Sequence, residues 1–587
     1  MATPKNIIIV GGVAGGMSCA TRLRRLDEHA NIIVIEKGPF ISYANCGLPY
    51  ALGGVITDES KLNVQTAAKI ESWFNVRVRI NTELMSIDRE SKTIKIRDEQ
   101  NPNKDEFTTL PYDKLVLAMG AKPVLPKITG IDTARIFQLH TIPDLRELEA
   151  FIKKTGAKRA GVIGGGFIGI EAVENLKKLG LDVTLIEFLP HVFGPIDADM
   201  AEILHTEMRK NGVNLLLNAR MTKILPSTGH SCSVFFEHDP ENPLVFDVAL
   251  CAIGIRPRTS VVTSAGIETG KFGGIKVNDC LQTNDPDIYA VGDMVETYNL
   301  VAGTNMITAL AGPANRQGRL AADHICGRTV KYRGNVGATI CKVFDKTLGL
   351  VGFSPSAMDR MGGFKYEYVT VHPPNHAGYY PGAANMTMRV AFEVPTGRLL
   401  GAQIVGEEGV DKRIDVLATA MRAGMTIEDL EHLELCYAPP YNAAKDPVNM
   451  AGFVGGNVLR GDVEIVHADE FGRSNAAAGP PPQGADCEGG GKKPKLRLQD
   501  YQVVDVRTPA EWNRGHLATG VNVPISELRE HIGELDKKAK TVVLCQVGYR
   551  GYLAYRILKQ SGFDVHNLDG GFKIVTDGGY EDLQAKV

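Results

Sequence analysis

The sequence lacks the features that mark a metal-bound, secreted or membrane-embedded chain. Its ten cysteines are scattered, with no CxxC pair and no zinc-type quartet, so neither a metal site nor a disulfide framework is predicted. No apolar run approaches the roughly 18–20 residues that a membrane helix needs. No secretory leader is visible, because the chain opens on Met-Ala-Thr-Pro-Lys and enters a strand-like run at once. We therefore expect a cytoplasmic protein with reduced thiols and no membrane partner.

The charge balance also excludes a class of partner. Lys and Arg total 65 and Asp and Glu total 68, so a net charge of −3 gives no support to a nucleic-acid binder. The 587 residues are about four times the ~150 typical of one domain, so several domains are expected. Glycine is plentiful at 63 residues and is concentrated at turns and loops.

Two segments show the same order of strand, glycine-rich loop, helix and strand. The first covers residues 6–35 and the second residues 160–186, and each reads as a βαβ unit. The sequence therefore predicts an α/β protein with two Rossmann-like nucleotide-binding domains.

The second loop, GGGFIG at 164–169, satisfies GxGxxG in the context that the pattern requires. Gly164 permits the tight turn, Gly166 lets the backbone approach a pyrophosphate, and Phe167 and Gly169 open the helix whose N-terminus attracts the phosphates. Glu187 ends the next strand and can accept hydrogen bonds from a ribose 2′-hydroxyl. A carboxylate there would repel a 2′-phosphate, so the loop favours NAD over NADP.

The first loop, GGVAGG at 11–16, departs from the pattern because Val13 occupies the middle glycine position. Its candidate cofactor contacts lie at the loop and at the end of the following strand: Gly11, Gly12, Ala14, Gly15 and Glu36. A third segment, 283–293, ends a strand at Gly292-Asp293. In flavoproteins with two nucleotide domains such an aspartate bonds the ribityl chain, so we expect FAD in the first domain.

One cysteine follows the first βαβ unit in the segment SYANCGLPY at 42–50. Disulfide reductases of this build use CxxxxC beside the flavin, but Ile41 and Ala51 occupy the positions where a partner of Cys46 would stand. A lone thiol has to complete its cycle with an external sulfur, through a mixed disulfide, a persulfide or a sulfenic acid.

With these residues in view, positions 1 to about 460 resemble the pyridine nucleotide–disulfide oxidoreductases, in particular the coenzyme A-disulfide reductase branch. The segments that carry the resemblance are VGGVAGG at 10–16, SYANCGLPY at 42–50, GGGFIG at 164–169, AIGIRP at 252–257, which contains Gly254, IYAVGD at 288–293, LAGPANRQGR at 310–319, YYPG at 379–382 and YAPPYNAAKD at 437–446. The resemblance implies FAD in the first domain, NADH in the second, coenzyme A as ligand, and a homodimer.

The resemblance also implies roles for individual residues. Cys46 would be the flavin-side redox cysteine, and Phe167 would cover the flavin until NADH displaces it. Tyr379 and Tyr437 would reach the cysteine of the partner subunit, although the doublet Tyr379-Tyr380 leaves the first assignment open. The candidate substrate contacts are Ser42 and Asn45 beside the cysteine, and Arg22, Arg25 and Lys445 on the phosphates of coenzyme A. A solvated helix face is the alternative for the two arginines.

The C-terminal segment from residue 496 resembles a rhodanese domain. Its segments are DVRTPAEW at 505–512 and CQVGYRG at 545–551, where Cys545 ends an apolar strand. Backbone N–H groups of the turn, the following helix N-terminus and Arg550 are expected to favour the thiolate, which attacks sulfane sulfur and carries it as a persulfide. Together with the reductase, this resembles the rhodanese-fused enzymes also described as NADH-dependent persulfide reductases.

The predicted domain boundaries are 1–150 with 250–328 for FAD, 151–249 for NAD, 329–460 for an α+β dimerisation domain, 461–495 for a flexible linker and 496–587 for the rhodanese-like domain. We expect an enzyme that reduces persulfide, polysulfide or coenzyme A-disulfide with NADH, in which the linker gives Cys545 reach toward Cys46. Two alternatives remain open. One is an NADH oxidase or peroxidase that uses a Cys46 sulfenic acid, and the other is a sulfur-trafficking redox sensor.

Overall fold

The computed structural model describes residues 4–132, 135–472 and 496–585. The chain separates into two compact units. The first unit comprises Met1–Gly164, Glu171–Val183 and Met221–Asn335, and the second comprises Gly165–Ile170, Thr184–Arg220 and Val336–Val587. Each unit is described by itself. No helix among the described residues combines the length and the hydropathy that crossing a bilayer requires.

The first unit is built on a five-stranded parallel sheet. Its strands, in spatial order, are Ile288–Ala290, Lys114–Leu117, Asn6–Val10, Asn31–Ile35 and Arg77–Arg79. The central strand is apolar and buried from Ile7 to Val10, as expected for a parallel sheet covered on both faces. Helices Ala14–Leu26 and Ala311–Ile325 pack against each other, and a β-carbon on Gly318 would collide with the backbone oxygen of Gly15. The first predicted βαβ unit is therefore confirmed.

Smaller elements complete the first unit. Strands Arg159–Ile163, Val248–Cys251 and Ile136–Phe137 pair in parallel and belong to the second nucleotide-binding module. Two antiparallel sheets have three strands each, in the spatial orders Thr82–Asp88, Thr93–Asp98, Thr108–Pro111 and Met221–Pro226, Cys232–Phe236, Asp239–Phe246. Ala121–Pro123 pairs antiparallel with Ile255–Pro257. Val295–Asn299 pairs antiparallel with Thr304–Ile307 and parallel with Ile275–Lys276. The remaining helices are Leu48–Leu52, Ala67–Phe74, Ile142–Thr155 and Ser260–Ser264.

The second unit contains the rest of the second module and an α+β domain. Helix Phe167–Lys178 begins in this unit, helix Ala198–Lys210 lies within it, and strands Asp182–Ile186 and Asn214–Leu216 pair in parallel. A five-stranded antiparallel sheet follows, in the spatial order Thr339–Val343, Lys346–Gly352, Leu399–Gly406, Thr387–Glu393 and Tyr366–Val371. Its helices are Pro355–Met361, Val410–Ala423 and Pro447–Leu459.

The C-terminal domain, also in the second unit, is a parallel sheet with apolar clusters on both faces. Its strands, in spatial order, are Ile465–Val466, Val565–Leu568, Thr541–Leu544, Gln502–Asp505 and Gly520–Asn522. Its helices are Ala468–Phe471, Pro509–Trp512, Leu528–His531, Tyr549–Gln560 and Gly571–Asp577.

The edge strand Ile465–Val466 shows that the C-terminal domain begins earlier than the predicted linker allows. The sequence predicts that residues 461–472 belong to the linker, but in the structure they contribute this strand and a short helix to the C-terminal domain. The pairing joins residues about 100 positions apart, so local composition did not reveal it. The rest of the predicted linker, 473–495, lies outside the described residues.

The C-terminal domain contacts the edge strand of the antiparallel sheet. The Thr370 N–H donates to Asp569 Oδ1 at 2.9 Å, and His372 Nε2 lies 3.0 Å from the Gly570 carbonyl. His467 Nε2 lies 2.8 Å from Glu367 Oε1. These polar contacts fix the C-terminal domain against the antiparallel sheet within the second unit. The reach of Cys545 toward Cys46 stays a prediction.

Candidate active site

Both glycine loops are held by a carboxylate from the end of the following strand. In the first loop, Glu36 accepts hydrogen bonds from Gly12 N–H and Gly38 N–H, each at 2.7 Å. In the second, Glu187 accepts from Gly165 N–H at 2.5 Å and from Leu189 N–H at 2.7 Å. Burial raises the pKa of Glu36, against the opposing effect of these hydrogen bonds. Each carboxylate fixes its loop and keeps lone pairs for ribose hydroxyls.

The backbone of the loops suits phosphate. Gly11 and Gly164 have φ of +111° and +104°, a region that side chains other than glycine rarely adopt. Helix Ala14–Leu26, whose second residue is Gly15, begins without a side-chain cap and without an acidic residue in its first turn. Helix Phe167–Lys178, which includes Gly169, likewise has no acidic residue in its first turn. Free N–H groups at such a terminus attract a pyrophosphate.

Asp293 and Gly254 are two further candidate cofactor contacts. Among the described residues no protein group donates a hydrogen bond to the Asp293 carboxylate, and burial raises the pKa of Asp293. Such a carboxylate has acceptor capacity for ribityl hydroxyls. Gly254 has φ of +122°, and open space lies where its β-carbon would stand. Open space also lies where a β-carbon of Gly166, in the second loop, would stand. The residues present therefore fit FAD in the first module and a nicotinamide dinucleotide in the second.

Phe167 packs edge-on against Phe193, with ring centroids 5.2 Å apart. Its expected cover over the flavin stays a prediction.

Cys46 lies in a short 3₁₀ turn, Asn45–Gly47, and is exposed. The backbone N–H of Cys46 donates to Asn45 Oδ1 at 3.1 Å, and the thiol lies 3.7 Å from the same oxygen. Ser42, in the left-handed region with φ of +44°, donates its N–H to the Gly12 carbonyl at 2.8 Å and so ties the cysteine segment to the first glycine loop. Partial burial, and then the charges of Glu171 and Asp293, raise the pKa of Cys46.

Glu171 is a site residue that the sequence reasoning missed. It accepts a hydrogen bond from the Tyr50 hydroxyl at 3.0 Å, and burial raises its pKa. Its contact with Tyr50 spans 121 positions, which no local pattern reports. The available signal was an acidic residue two positions after Gly169, on a helix that opens Phe-Ile-Gly-Ile.

The two candidate tyrosines meet directly. The hydroxyls of Tyr379 and Tyr437 lie 2.8 Å apart, and both side chains are exposed, Tyr379 at 76% and Tyr437 at 48%. The hydrogen bond to Tyr437 raises the pKa of Tyr379. Tyr380 instead turns its ring toward His376. Of the doublet, the structure joins Tyr379 to Tyr437.

The loop that carries Tyr437 and Lys445 is fixed by a buried arginine. Arg413 donates to Asn442 Oδ1 at 2.9 Å and pairs with Asp446 at 3.1 Å. Lys445 is exposed between these anchors. Cys436, which the sequence reasoning did not single out, is exposed beside Tyr437.

The two candidate arginines of the first helix differ. Arg22 is mostly buried and pairs with Asp323 at 2.7 Å, whereas Arg25 is exposed. The alternative of a solvated helix face is therefore compatible with the exposed Arg25. It does not describe Arg22, whose side chain is packed in an ion pair with Asp323.

In the C-terminal domain, Cys545 is only 1% exposed, and the Gly548 N–H donates to its sulfur at 3.2 Å. Arg550, expected to favour the Cys545 thiolate, interacts with that thiol and also makes two hydrogen bonds to Glu511, at 2.8 and 2.6 Å. Buried Asp505 and Arg507 pair at 2.7 Å and hold the corner after the strand.

Two nucleotide-binding modules, a thiol beside the first, and an antiparallel α+β domain define a flavin-dependent pyridine nucleotide oxidoreductase. The comparisons agree: residues 5–318 match the pyridine nucleotide-disulphide oxidoreductase family, residues 338–447 its dimerisation domain, and residues 493–577 the rhodanese-like domain. The chain belongs to the pyridine nucleotide-disulphide oxidoreductase family and carries a rhodanese-like domain at its C-terminal end.

Three similar proteins span most or all of the chain. A coenzyme A disulfide reductase from Staphylococcus haemolyticus is 34% identical over 450 residues, 76% of this chain and 99% of that protein. The structure of reduced CoADR-RHD from Bacillus anthracis is 39% identical with a TM-score of 0.91, covering 99% of both chains. A NAD-dependent persulfide reductase from A. fulgidus is 34% identical with a TM-score of 0.85, covering 97% of this chain and 99% of that one.

Proposed function

We propose that the protein reduces persulfide, polysulfide or coenzyme A-disulfide sulfur with NADH, and that Cys46 is the reacting thiol. The observation that carries the proposal is the exposed Cys46 thiol, tied through Ser42 to the first glycine loop, with Ile41 and Ala51 where a disulfide partner would stand. A thiol in this position has to exchange with sulfur from outside. The names of the similar proteins support sulfur as the substrate element.

Two sets of residues would hold the cofactors. Gly11, Gly12, Gly15, Glu36 and Asp293 would bind FAD, and the loop at 164–169 with Glu187 would bind NADH. The bound flavin would supply two-electron transfer from NADH to sulfur. The role of the chain is to hold the sulfur substrate against Cys46.

The thiol chemistry can be written with its atoms balanced. The Cys46 thiolate attacks the inner sulfur of a persulfide R–S–SH, the S–S bond breaks, and hydrosulfide leaves with the electron pair. The mixed disulfide of Cys46 and R–S is then reduced by two electrons, which releases the carrier thiol and restores Cys46. In sum, one NADH, one proton and one persulfide become NAD⁺, one thiol and one hydrogen sulfide.

Because its pKa is raised, the Cys46 thiol needs a nearby proton acceptor to become a thiolate. Glu171, whose own pKa is raised by burial, lies among the groups that act on the thiol. In the homodimer that the dimerisation domain suggests, the Tyr379–Tyr437 pair would face the partner's thiol and donate a proton to the leaving sulfur.

Coenzyme A would be the carrier thiol. Arg25 and Lys445 are exposed and would each bind a phosphate of coenzyme A. Arg22 lies one helical turn before Arg25 and would approach the same phosphates while paired with Asp323. Cys545 would take up sulfane sulfur in the C-terminal domain and present it as a persulfide. Sulfur would travel between the two thiols on a small carrier thiol.

The decisive experiment measures NADH consumption and sulfide release over a panel of coenzyme A persulfide, coenzyme A disulfide, polysulfide and peroxide. We expect one sulfide per NADH with persulfides, and loss of this activity in Cys46→Ser with FAD still bound. Cys251→Ser, which alters a buried cysteine of the same unit, is the matched control. Faster turnover with peroxide, and a sulfenic acid on Cys46, would favour the oxidase or peroxidase instead. A single turnover that stops with excess persulfide would favour the redox sensor.

A further inference from the structure

Residues 187–197 connect a strand to a helix of the second nucleotide-binding module and form neither helix nor strand themselves. The segment begins with Glu187, the carboxylate expected at the ribose of NADH. Near its middle, the Phe193 N–H donates to the Gly165 carbonyl at 2.9 Å, and the Phe193 ring packs against Phe167. An irregular segment has no hydrogen-bond ladder of its own, so contacts from other elements have to fix its shape. Whatever anchors the far end of this segment therefore also acts on the second glycine loop.

The far end is anchored by two buried carboxylates that share one arginine. Arg389, from the antiparallel sheet, pairs with Asp197 at 2.8 Å and with Asp199 at 2.7 Å. Gln403 accepts from the Asp197 N–H and donates to the Asp197 carboxylate, both at 2.7 Å. One guanidinium does not balance two carboxylates, so the remaining negative charge depends on neutral hydrogen-bond donors in the same cluster.

The C-terminal domain supplies one of these donors. Tyr580 is 2% exposed, and its hydroxyl donates to Asp199 Oδ2 at 3.3 Å, across 381 positions of the chain. The backbone of the same domain also comes close, because a β-carbon on Gly578 would lie 2.8 Å from the Asp199 β-carbon. A larger residue at position 578 would therefore press on Asp199.

The C-terminal domain reaches the shared arginine as well. The Arg389 guanidinium lies 4.7 Å from the centroid of the Tyr368 ring. Tyr368 in turn stacks on His467, which belongs to the C-terminal domain, with ring centroids 3.7 Å apart. Asp199 contacts the C-terminal domain directly, and Arg389 contacts it through one aromatic ring.

We propose that the C-terminal domain is a structural part of the coenzyme site, and that Tyr580 is a positioning residue for segment 187–197. Through Asp199 and Arg389, the Tyr580 hydroxyl fixes the far end of that segment. The segment in turn fixes Glu187 and the second glycine loop. The inference rests on the assignment of this loop to a nicotinamide dinucleotide and is independent of the sulfur chemistry.

The expected effect is on coenzyme binding and not on the chemical step. Glu187 accepts hydrogen bonds from the Gly165 and Leu189 N–H groups, so its carboxylate moves with both the loop and the segment. With the Tyr580 hydrogen bond in place, the segment is ordered before the coenzyme arrives. Without it, coenzyme binding has to supply part of the ordering, which lowers the affinity. At saturating coenzyme the segment is ordered again, and turnover recovers.

The test compares Tyr580→Phe with the unmodified full chain, both with FAD bound. Calorimetric titration with NAD⁺ should give a Kd raised by about 3- to 10-fold, a part of the free energy of one hydrogen bond to a charged group. KM for NADH should rise by a similar factor, while kcat at saturating NADH changes by less than about 2-fold. Hydrogen exchange of peptides within 187–197 should be faster in the variant.

Two matched pairs of variants isolate the cause. Tyr501→Phe removes a hydroxyl from a tyrosine packed on the same apolar cluster as Tyr580, and should leave the Kd, the KM and the exchange of the segment unchanged. Gly578→Ala acts on the same carboxylate by a different route, since its β-carbon presses on Asp199, and should also raise the Kd for NAD⁺. Gly533→Ala, whose β-carbon meets open space in the same domain, should not.

An unchanged Kd for NAD⁺ in Tyr580→Phe would overturn the inference. A lower thermal midpoint with an unchanged Kd would overturn it too, because the hydroxyl would then only stabilise the C-terminal domain. An equal rise of the Kd in Tyr501→Phe would show that the effect is not specific to the contact with Asp199. NAD⁺ affinity and hydrogen exchange need no turnover, so they decide this inference even if the unmodified enzyme releases no sulfide, the result that would overturn the proposed function instead.

Discussion

At the scale of single residues, one carboxylate serves each glycine loop in two ways. Glu187 accepts the N–H groups of Gly165 and Leu189, and its remaining lone pairs can accept ribose hydroxyls. The same carboxylate that shapes the loop is therefore also expected to oppose a 2′-phosphate. A substitution of Glu187 should therefore change the coenzyme preference and the geometry of the loop together.

Glu187→Gln should raise the ratio of kcat/KM for NADPH to that for NADH by about 10-fold, since the charge that repels a 2′-phosphate is gone. The amide can accept only through its oxygen, so one of the two loop hydrogen bonds is lost and KM for NADH should rise as well. Steady-state kinetics with both coenzymes measure the two effects. Glu36→Gln, the equivalent change in the first loop, should weaken FAD retention and leave the coenzyme ratio unmoved. An unmodified enzyme that prefers NADPH would contradict the assignment.

The charged side chains that shift the pKa of the Cys46 thiol are carboxylates. Partial burial and the charges of Glu171 and Asp293 raise its pKa, so the thiolate fraction at neutral pH is reduced and grows as the pH rises. Glu171→Gln should shift the pH profile of Cys46 alkylation to lower pH, with alkylation at neutral pH roughly 2- to 10-fold faster. Glu28→Gln, an exposed residue of the same unit, is the control and should leave the profile in place. An unshifted profile in Glu171→Gln would show that Glu171 does not act on the thiol.

Residue identity and spacing predicted the glycine loops and the carboxylates Glu36 and Glu187 that hold them. The reactivity of Cys46 and Cys545 stays a prediction. Those positions are marked by local order along the chain. The charge partners were not predicted, because Tyr50 meets Glu171 across 121 positions and Arg550 meets Glu511 across 39. The sequence suggested that Arg550 favours the Cys545 thiolate, because a cation a few residues after a cysteine is a local pattern. The pairing of Arg550 with Glu511 is a tertiary contact that no local pattern indicates.

At the scale of elements, the flavin module depends on the close approach of two helices. Gly15 in helix Ala14–Leu26 and Gly318 in helix Ala311–Ile325 allow the backbones to touch. The contact fixes helix Ala14–Leu26, whose N-terminus would face the phosphates of the cofactor, against the sheet whose second strand leads to Glu36. The two glycine-containing segments, 10–16 and 310–319, are thus parts of one packing arrangement.

Gly318→Ala should lower the free energy of unfolding of the FAD-bound protein by roughly 1–3 kcal/mol or more, because the new β-carbon meets the Gly15 carbonyl oxygen. Thermal unfolding followed by flavin release measures the loss. Gly312→Ala is the matched control, since it lies in the same helix and its β-carbon would meet only the flexible end of Arg316, at 3.4 Å. The control should be neutral or slightly stabilising through helix propensity. Equal stability of the two variants would refute the packing argument.

At the scale of the whole chain, the C-terminal domain extends further back than composition indicated. The segment 461–472 carries charged and apolar residues in no clear period, so only the pairing of Ile465–Val466 with Val565–Leu568 reveals its place. His467, directly after this strand, lies between Glu367 of the antiparallel sheet and Asp569 of the C-terminal sheet. It stacks on Tyr368, with ring centroids 3.7 Å apart. The connection between the domains is therefore a buried charge cluster within the second unit.

This cluster makes the attachment of the C-terminal domain sensitive to alkaline pH. Burial alone would lower the pKa of His467, but its hydrogen bonds and charge interactions with Asp569 and Glu367 raise it to about 10, above its ordinary value of 6.5. A group whose folded-state pKa is raised stabilises fully below its unfolded-state pKa and loses that contribution as the pH rises through the folded-state value. The stabilisation is therefore complete below about pH 6.5 and decreases progressively until it is lost near pH 10.

We expect the urea concentration at the unfolding midpoint of the C-terminal domain to decrease as the pH is raised from 7 to 10. Unfolding is followed by the fluorescence of Trp512 in a Trp73→Phe background, which leaves one tryptophan as reporter. In His467→Gln the midpoint should be lower at pH 7, because Asp569 is left buried without a cation, and the decline toward pH 10 should be much smaller. His531→Gln, which removes an exposed histidine paired with Glu534 in the same domain, should keep the wild-type decline. If His467→Gln and the unmodified protein fall in parallel from pH 7 to pH 10, the cluster does not hold the domain through a charged His467.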